Sequence, residues 1–177
     1  MIKTPRLLLR HWQDTDLEPW VAMNLDPRVT EFFPRPLPRD MALTQAETMR
    51  RKLDDLGYGW WVVDIPGVTP FAGIVCLQEV SFESHFTPAH EVGWRFASEF
   101  WHRGYATEGA RGALDYGFTT LGLNEIVALT ASINLPSRRV MERLGMKHDP
   151  ADDFDHPKIG KGHSLERHVL YKLARSS

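Results

Sequence analysis

The 177-residue chain is 42% hydrophobic and 25% charged, with 21 Lys plus Arg set against 23 Asp plus Glu for a formal net charge of −2. These values are those of an ordinary soluble globular protein and exclude disorder, a collagen-like repeat and a disulfide-stapled miniprotein. The slight negative balance supplies no bulk field to hold a nucleic-acid backbone or an anionic membrane, so neither is expected as a partner.

In chain order, Arg6 to Trp12 reads as a first strand, bounded by Pro5 and by Gln13-Asp14. Asp14 or Thr15 can cap a helix to about Leu25, with Leu17, Trp20, Val21 and Leu25 on one face; Asp26-Pro27 ends it. A segment spaced by Pro34, Pro36 and Pro38 leads into a second helix over Arg39–Leu56, which Gly57 stops. Trp60–Ile65 and Phe71–Val80 then form a hairpin across residues 66–70. After a loop over Ser81–Pro88, Glu91–Phe96 alternates cleanly. Val92, Trp94 and Phe96 share one face, and Glu91, Gly93 and Arg95 the other. Tyr105–Leu121 is helical with a stripe of Ala106, Ala110, Ala113 and Gly117; Glu125–Thr130 is an apolar strand, Ser137–Leu144 a short helix and Glu166–Leu173 a last strand. No repeat or composition break divides the chain. The expectation is one domain over residues 1–177, core about 4–173, of mixed α/β (α+β) class.

Cys76 is the only cysteine, which excludes an internal disulfide and favours no oxidising compartment. It sits in the apolar run Gly73-Ile74-Val75-Cys76-Leu77 as a small hydrophobe. The eight histidines are scattered, so no metal site is expected. Met1 to Arg6 carries no apolar core of a signal peptide, and no stretch approaches the roughly 20 apolar residues of a membrane helix. The cytoplasm is the expected location.

The chemistry concentrates between Glu91 and Glu108. A strand, a turn at Gly104 and the start of a long helix place free helix-end amides and the positive end of the helix dipole together, which makes a phosphate cradle with Arg103 as an added cation. By spacing alone the same glycine can be a plain turn, as most lone glycines are. A nucleotide site of the Rossmann or P-loop kind is excluded: Gly57-Tyr58-Gly59 follows a helix, and Gly160-Lys161-Gly162 lacks the upstream glycine.

Trp101-His102-Arg103-Gly104-Tyr105-Ala106-Thr107-Glu108 resembles the acyl-CoA pyrophosphate loop of the GNAT N-acetyltransferase superfamily, and Glu91-Val92-Gly93-Trp94 resembles the strand before it. Asn134-Leu135-Pro136-Ser137, with Gly145-Met146 downstream, is similar to the family's second signature. Thr4-Pro5-Arg6-Leu7-Leu8-Leu9-Arg10 resembles the opening of the branch containing ribosomal-protein alanine and serine N-acetyltransferases. Trp101 stands where that family usually has Gln or Arg, and Met146 where it has Phe. The resemblance implies a mostly antiparallel, twisted central sheet with splayed strands and flanking helices. It implies acetyl-CoA as co-substrate, with His102, Arg103, Gly104, Tyr105, Ala106 and Thr107 around the pyrophosphate. Trp94, Arg95 and Phe96 would line the pantetheine arm, and Asn134 would reach it; an ordinary helix cap is an equal reading of Asn134.

Acetyl transfer needs a neutral amine. An α-amine costs roughly 1 kcal/mol to deprotonate at pH 7, a lysine nearer 4–5. Glu91 is the leading base, beside His90, against a plain solvent-facing carboxylate. Ser137 is the leading acid toward the departing thiolate, a role the branch implies, against a capping hydroxyl; Tyr105 and Tyr171 are weaker candidates. The run Asp152-Asp153-Phe154-Asp155-His156 reads as a solvated loop that could also meet a cationic substrate, and Phe32, Phe33, Trp60 and Trp61 fall where the superfamily walls its acceptor cleft. Arg95, Arg103, Arg111, Arg138, Arg139, Arg143 and Lys147 gather positive charge around the anionic ligand's segments. The expected reaction is direct transfer in a ternary complex to a primary amine, either a protein N-terminus or a small molecule, by a monomer or homodimer. The alternative is a non-catalytic acyl-CoA-binding sensor of the same fold.

Overall fold

The computed structural model describes residues 1–175. Its strands are β1 (Ile2–Lys3), β2 (Leu8–Arg10), β3 (Trp60–Ile65), β4 (Thr69–Glu79), β5 (His90–Phe96), β6 (Glu125–Ala131), β7 (Lys147–His148), β8 (Phe154–Asp155) and β9 (Arg167–Ala174). They form one sheet in the order β1-β2-β3-β4-β5-β6-β9-β7, with β8 also on β9. Every pairing is antiparallel except β5 with β6. Such a mixed sheet follows from the chain's two halves: short hairpin links early, and a helical crossover between β5 and β6 late.

The helices are α1 (Leu17–Leu25), α2 (Pro27–Thr30), α3 (Arg39–Leu56), α4 (Tyr105–Thr119) and α5 (Leu135–Arg143). The α3 span and the β3 span coincide with the sequence reading, and Gly57 closes α3 in the left-handed conformation at φ 76°. α1 packs on α3, where Trp20 Nε1 donates to the Ala42 carbonyl at 2.9 Å. α4 covers the opposite sheet face, where its small residues allow close approach. A Cβ on Gly109 would stand 3.0 Å from Val75 Cγ2, and Trp61 meets Tyr116 edge-on at 5.6 Å.

Three local differences have physical causes. The first helix opens with a 3-10 turn at Asp14–Asp16, and its cap is Gln13 rather than Asp14 or Thr15. Asp16 turns inward to take both ends of the Arg10 guanidinium at 2.8 Å, a buried bidentate pair. Asp26-Pro27 both ends α1 and starts α2: the Asp26 carboxylate accepts the Arg28 N–H at 2.9 Å, with Pro27 at the first helical position. β1, β7 and β8 are two residues each, too short to show a period of two.

Candidate active site

The parallel pair β5 and β6 touches at one register position, Glu91 opposite Val127, and parts beyond it. The β4–β5 ladder decides which backbone groups the gap exposes. Ala97 N–H donates to the Ala72 carbonyl at 3.0 Å and Val80 N–H to the Ala89 carbonyl at 2.9 Å, at opposite ends of one register. Alternation then commits the peptide groups of Glu91, Gly93 and Arg95 to β4 and turns those of Val92, Trp94 and Phe96 toward the gap. Trp101 Nε1 donates to the Phe96 carbonyl at 2.8 Å, which gives the bulky first loop residue a structural task. Trp94 thus presents an open peptide edge suited to an amide-rich arm. Arg95, expected on this edge, is turned to the other face and its peptide groups are taken by β4.

Beyond β5 the chain passes His102 at φ 60° and Gly104 at φ 80° into α4. The left-handed turn at Gly104 aims the first helix amides outward. Tyr105, Ala106 and Thr107 precede the first intrahelical bond, which Glu108 N–H makes to the Gly104 carbonyl at 3.0 Å. An anion fits there by dipole and by free donors. Glu108 was not among the expected site residues. Its carboxylate accepts Thr4 Oγ1–H and the Arg6 N–H, both at 2.7 Å, and Arg6 Nε–H at 2.6 Å; Arg6 Nη1 donates to the Arg103 carbonyl at 3.0 Å. The Arg6 guanidinium also lies 4.7 Å over the Tyr105 ring. The N-terminal segment therefore holds the loop in shape.

On the far bank of the gap, β6 runs into α5. Asn134 caps that helix: its Oδ1 accepts the Ser137 N–H at 3.3 Å, and its Nδ2 donates to Thr130 Oγ1 at 2.9 Å and Ser137 Oγ at 3.2 Å. The helix starts at Leu135, two residues before the expected Ser137. Ser137 Oγ accepts a hydrogen bond from Asn134 Nδ2, so its own O–H is left to donate elsewhere. Tyr171 is buried, donates to Glu142 Oε1 at 3.2 Å and accepts Arg138 Nε–H at 3.4 Å, which occupies the weaker hydroxyl candidate.

The opposite face of β5 carries Glu91. Trp60 Nε1 donates to Gln78 Oε1 at 2.8 Å, and Gln78 Nε2 donates to Glu91 Oε1 at 2.8 Å. The indole fixes which end of the Gln78 amide faces the carboxylate. Burial raises the Glu91 carboxyl above its usual range, against the opposing pulls of the Gln78 bond and the Lys158 charge. A cavity of about 200 Å³ opens beside Tyr58, Trp60 and Gln78. Gln78 carries no sequence signal of its own; only its register opposite Glu91 identifies it. Trp60 faces this side, whereas Trp61 is fully buried toward α4. Cys76 is buried in the ladder, and desolvation pushes its thiol well up.

The acidic run is less free than a solvated loop. Asp152 pairs with Lys172 at 2.8 Å and His85 at 3.4 Å, Asp153 with His148 at 2.7 Å, and Phe154 is buried. Among the described residues no helix is long and apolar enough to cross a membrane.

The Acetyltransferase (GNAT) domain family matches residues 6–147 of the chain. The chain is 37% identical over 165 residues to FsC-acetyl coenzyme A-N(2)-transacetylase of Aspergillus fumigatus, a match covering 88% of this chain and 68% of that protein. A GNAT-family acetyltransferase from Bacillus anthracis superposes with a TM-score of 0.80 at 26% identity, over 98% of this chain and 97% of the other. RimJ of Mycobacterium smegmatis, in complex with CoA-disulfide, shares the fold with a TM-score of 0.74 at 19% identity, over 98% and 85%. The family uses acetyl-CoA, and both the splayed strands and the amide cradle fit that ligand. By sequence and by fold, the chain belongs to the GNAT family and is an N-acetyltransferase.

Proposed function

We propose that the protein transfers acetyl directly from acetyl-CoA to a primary amine, in the first place an α-amine, with Glu91 as base and Ser137 as proton donor. The observation that carries this reading is Glu91 itself: a desolvated carboxylate, oriented by Gln78, at the one position where β5 meets β6 before the strands part. A base with a raised pKa holds a proton better in the transition state, which favours general-base work near neutral pH. The Aspergillus relative is named as an N(2)-transacetylase, which supports an α-amine. An α-amine also needs the least help to lose its proton.

The roles of the chain's own groups follow. Tyr105, Ala106 and Thr107 amides, with His102 and Arg103 nearby, hold the pyrophosphate; the Trp94 peptide edge, with Phe96 beside it, aligns the pantetheine arm. Acetyl-CoA, when bound, supplies an acyl carbon activated as a thioester. Glu91 takes a proton from the incoming ammonium, directly or through water, and frees the nitrogen lone pair to form the new C–N bond; the second proton of that nitrogen passes to solvent as the tetrahedral intermediate collapses. Backbone N–H groups along the gap stabilise the charge on the carbonyl oxygen. Ser137 donates its O–H proton toward the sulfur as the C–S bond breaks, and recovers a proton from solvent. Asn134 keeps Ser137 in that orientation. Cys76 is too deeply buried to serve as a covalent carrier.

Free-thiol release with acetyl-CoA and a panel of α-amino and ε-amino acceptors tests the reading. The Glu91→Gln variant should lose about 10²–10³ in kcat/KM and the acid limb of the pH profile, with coenzyme binding retained. An unchanged profile and rate would remove Glu91 from the role. Release from no acceptor, with CoA still bound, would leave the sensor reading instead.

A further inference from the structure

Arg95 shares a strand face with Glu91, and Gly93 lies between them. The two side chains start four residues apart, roughly 13 Å along the strand, and lean over a floor without a side chain. The position is kept bare by its cross-strand neighbour: a Cβ on Gly93 would stand 3.0 Å from Cys76 Sγ on the same face. This face of β5 thus carries a carboxylate and a guanidinium on either side of a position without a side chain.

The guanidinium is charged but unmatched. Its flat faces are used, 4.0 Å from the Phe33 ring and 5.2 Å from the Trp20 ring, and Nη1 donates to Asn24 Oδ1. Nε is buried with no hydrogen-bond partner. Among the described residues no carboxylate pairs with it, whereas Arg10, the other guanidinium in the interior, has both Asp16 and Asp64. A partly buried cation without a counter-charge is costly to hold. Burial alone pulls it down to about 10, still fully protonated at neutral pH. An incoming anion would supply the counter-charge that the fold leaves out.

We propose that Arg95 binds a carboxylate of the acceptor, so that the preferred substrate is a small amino acid or amino-acid-like amine whose carboxylate lies close to the reacting nitrogen. This inference rests on the function proposed above and narrows its acceptor. The two charged groups on this face match the two ends of the substrate: Glu91 receives the ammonium and Arg95 the carboxylate. Planar, bidentate capture of carboxylate is what a guanidinium does best. Half-exposed Phe33 covers the guanidinium from the segment before α3 and shields the ion pair from water.

The test uses three acceptors of one shape: L-leucine, L-leucinamide and isopentylamine, assayed by thiol release with acetyl-CoA. The expected kcat/KM for L-leucine exceeds both others by about tenfold or more. Arg95→Met should abolish that preference while leaving the KM for acetyl-CoA unchanged, and Arg95→Lys should restore part of it. Should Arg95→Met fail to fold, inhibition of the native protein serves instead: 4-methylpentanoate, which keeps the carboxylate and lacks the amine, should compete with the amine acceptor. Equal rates on all three acceptors, equal losses on all three in Arg95→Met, or no competition by 4-methylpentanoate would each overturn the assignment. A protein that acetylates none of them, nor any other amine, fails at the proposed function rather than at Arg95.

Discussion

The Glu108 carboxylate and the Arg6 guanidinium meet at 2.6 Å across 102 residues of sequence and tie the N-terminal segment to the first turn of α4. The contact fixes the loop from Arg103 to Thr107 from behind, because Arg6 also bonds the Arg103 carbonyl. Neighbouring carboxylate bonds from Thr4 and the Arg6 backbone hold the Glu108 carboxyl below its usual range despite desolvation that raises it. Glu108→Ala should therefore raise the KM for acetyl-CoA by about tenfold while leaving the acceptor KM near its native value. The measurement is steady-state kinetics with each substrate varied in turn.

Removing the Gln78 donor should make Glu91 harder to ionise. The bond from Gln78 stabilises the charged carboxylate and so opposes the upward push of burial. In Gln78→Leu the acid limb of the kcat/KM profile should move to higher pH. Trp60→Phe, which releases the far end of the Gln78 amide, should move it the same way by less. A merely structural loss would lower the rate without moving the limb.

Gly73 sits where two backbones nearly touch: a Cβ there would lie 2.7 Å from Phe96 Cα and closer still to the Arg95 carbonyl. Both are main-chain atoms of β5 and cannot swing away. Gly73→Ala should cost about 3 kcal/mol or more and appear as a large fall in melting temperature or in soluble yield. Gly160→Ala gives the contrasting control, since nothing lies within 4 Å of its Cβ and its backbone is not left-handed.

His168 predicts a loss of stability in acid. Burial holds its imidazole down at about 4, against the 3.2 Å contact of Nδ1 with the Glu166 carbonyl, and the ring of His156 lies 4.7 Å away. In the unfolded chain the same group accepts a proton near pH 6.5. The unfolded state then binds more protons from that point down to about pH 4, and stability falls as pH falls through the window. Urea melts at about pH 7 and about pH 5 should differ more in the native protein than in His168→Gln.

The sequence is most legible where one periodic signal governs several residues. The 18 residues of α3 and the six of β3 follow directly from spacing and from Gly57. The alternation along β5 predicts the two faces that the structure shows. The turn at Gly104 into α4 is readable because a glycine followed by a helix start is a local feature. The direction of the Arg95 peptide groups was not legible for a physical reason: alternation separates the faces but cannot say which peptide groups β4 consumes. Glu108, Gln78 and the Arg10–Asp16 pair escaped for another. Each acts through a partner brought near by folding, and a polar residue within a regular element carries no mark of what lies opposite it.

The single register contact between β5 and β6 has a mechanical consequence. The sheet is two half-sheets, β1 to β5 and β6 to β9, articulated at Glu91 and Val127. A coenzyme lying along the open edge of β5 would act as a missing strand and bridge the two halves. Binding of the coenzyme should thus stiffen the molecule as a whole. Amides of β6 and β9, which the ligand need never touch, should exchange with solvent more slowly once it is in place.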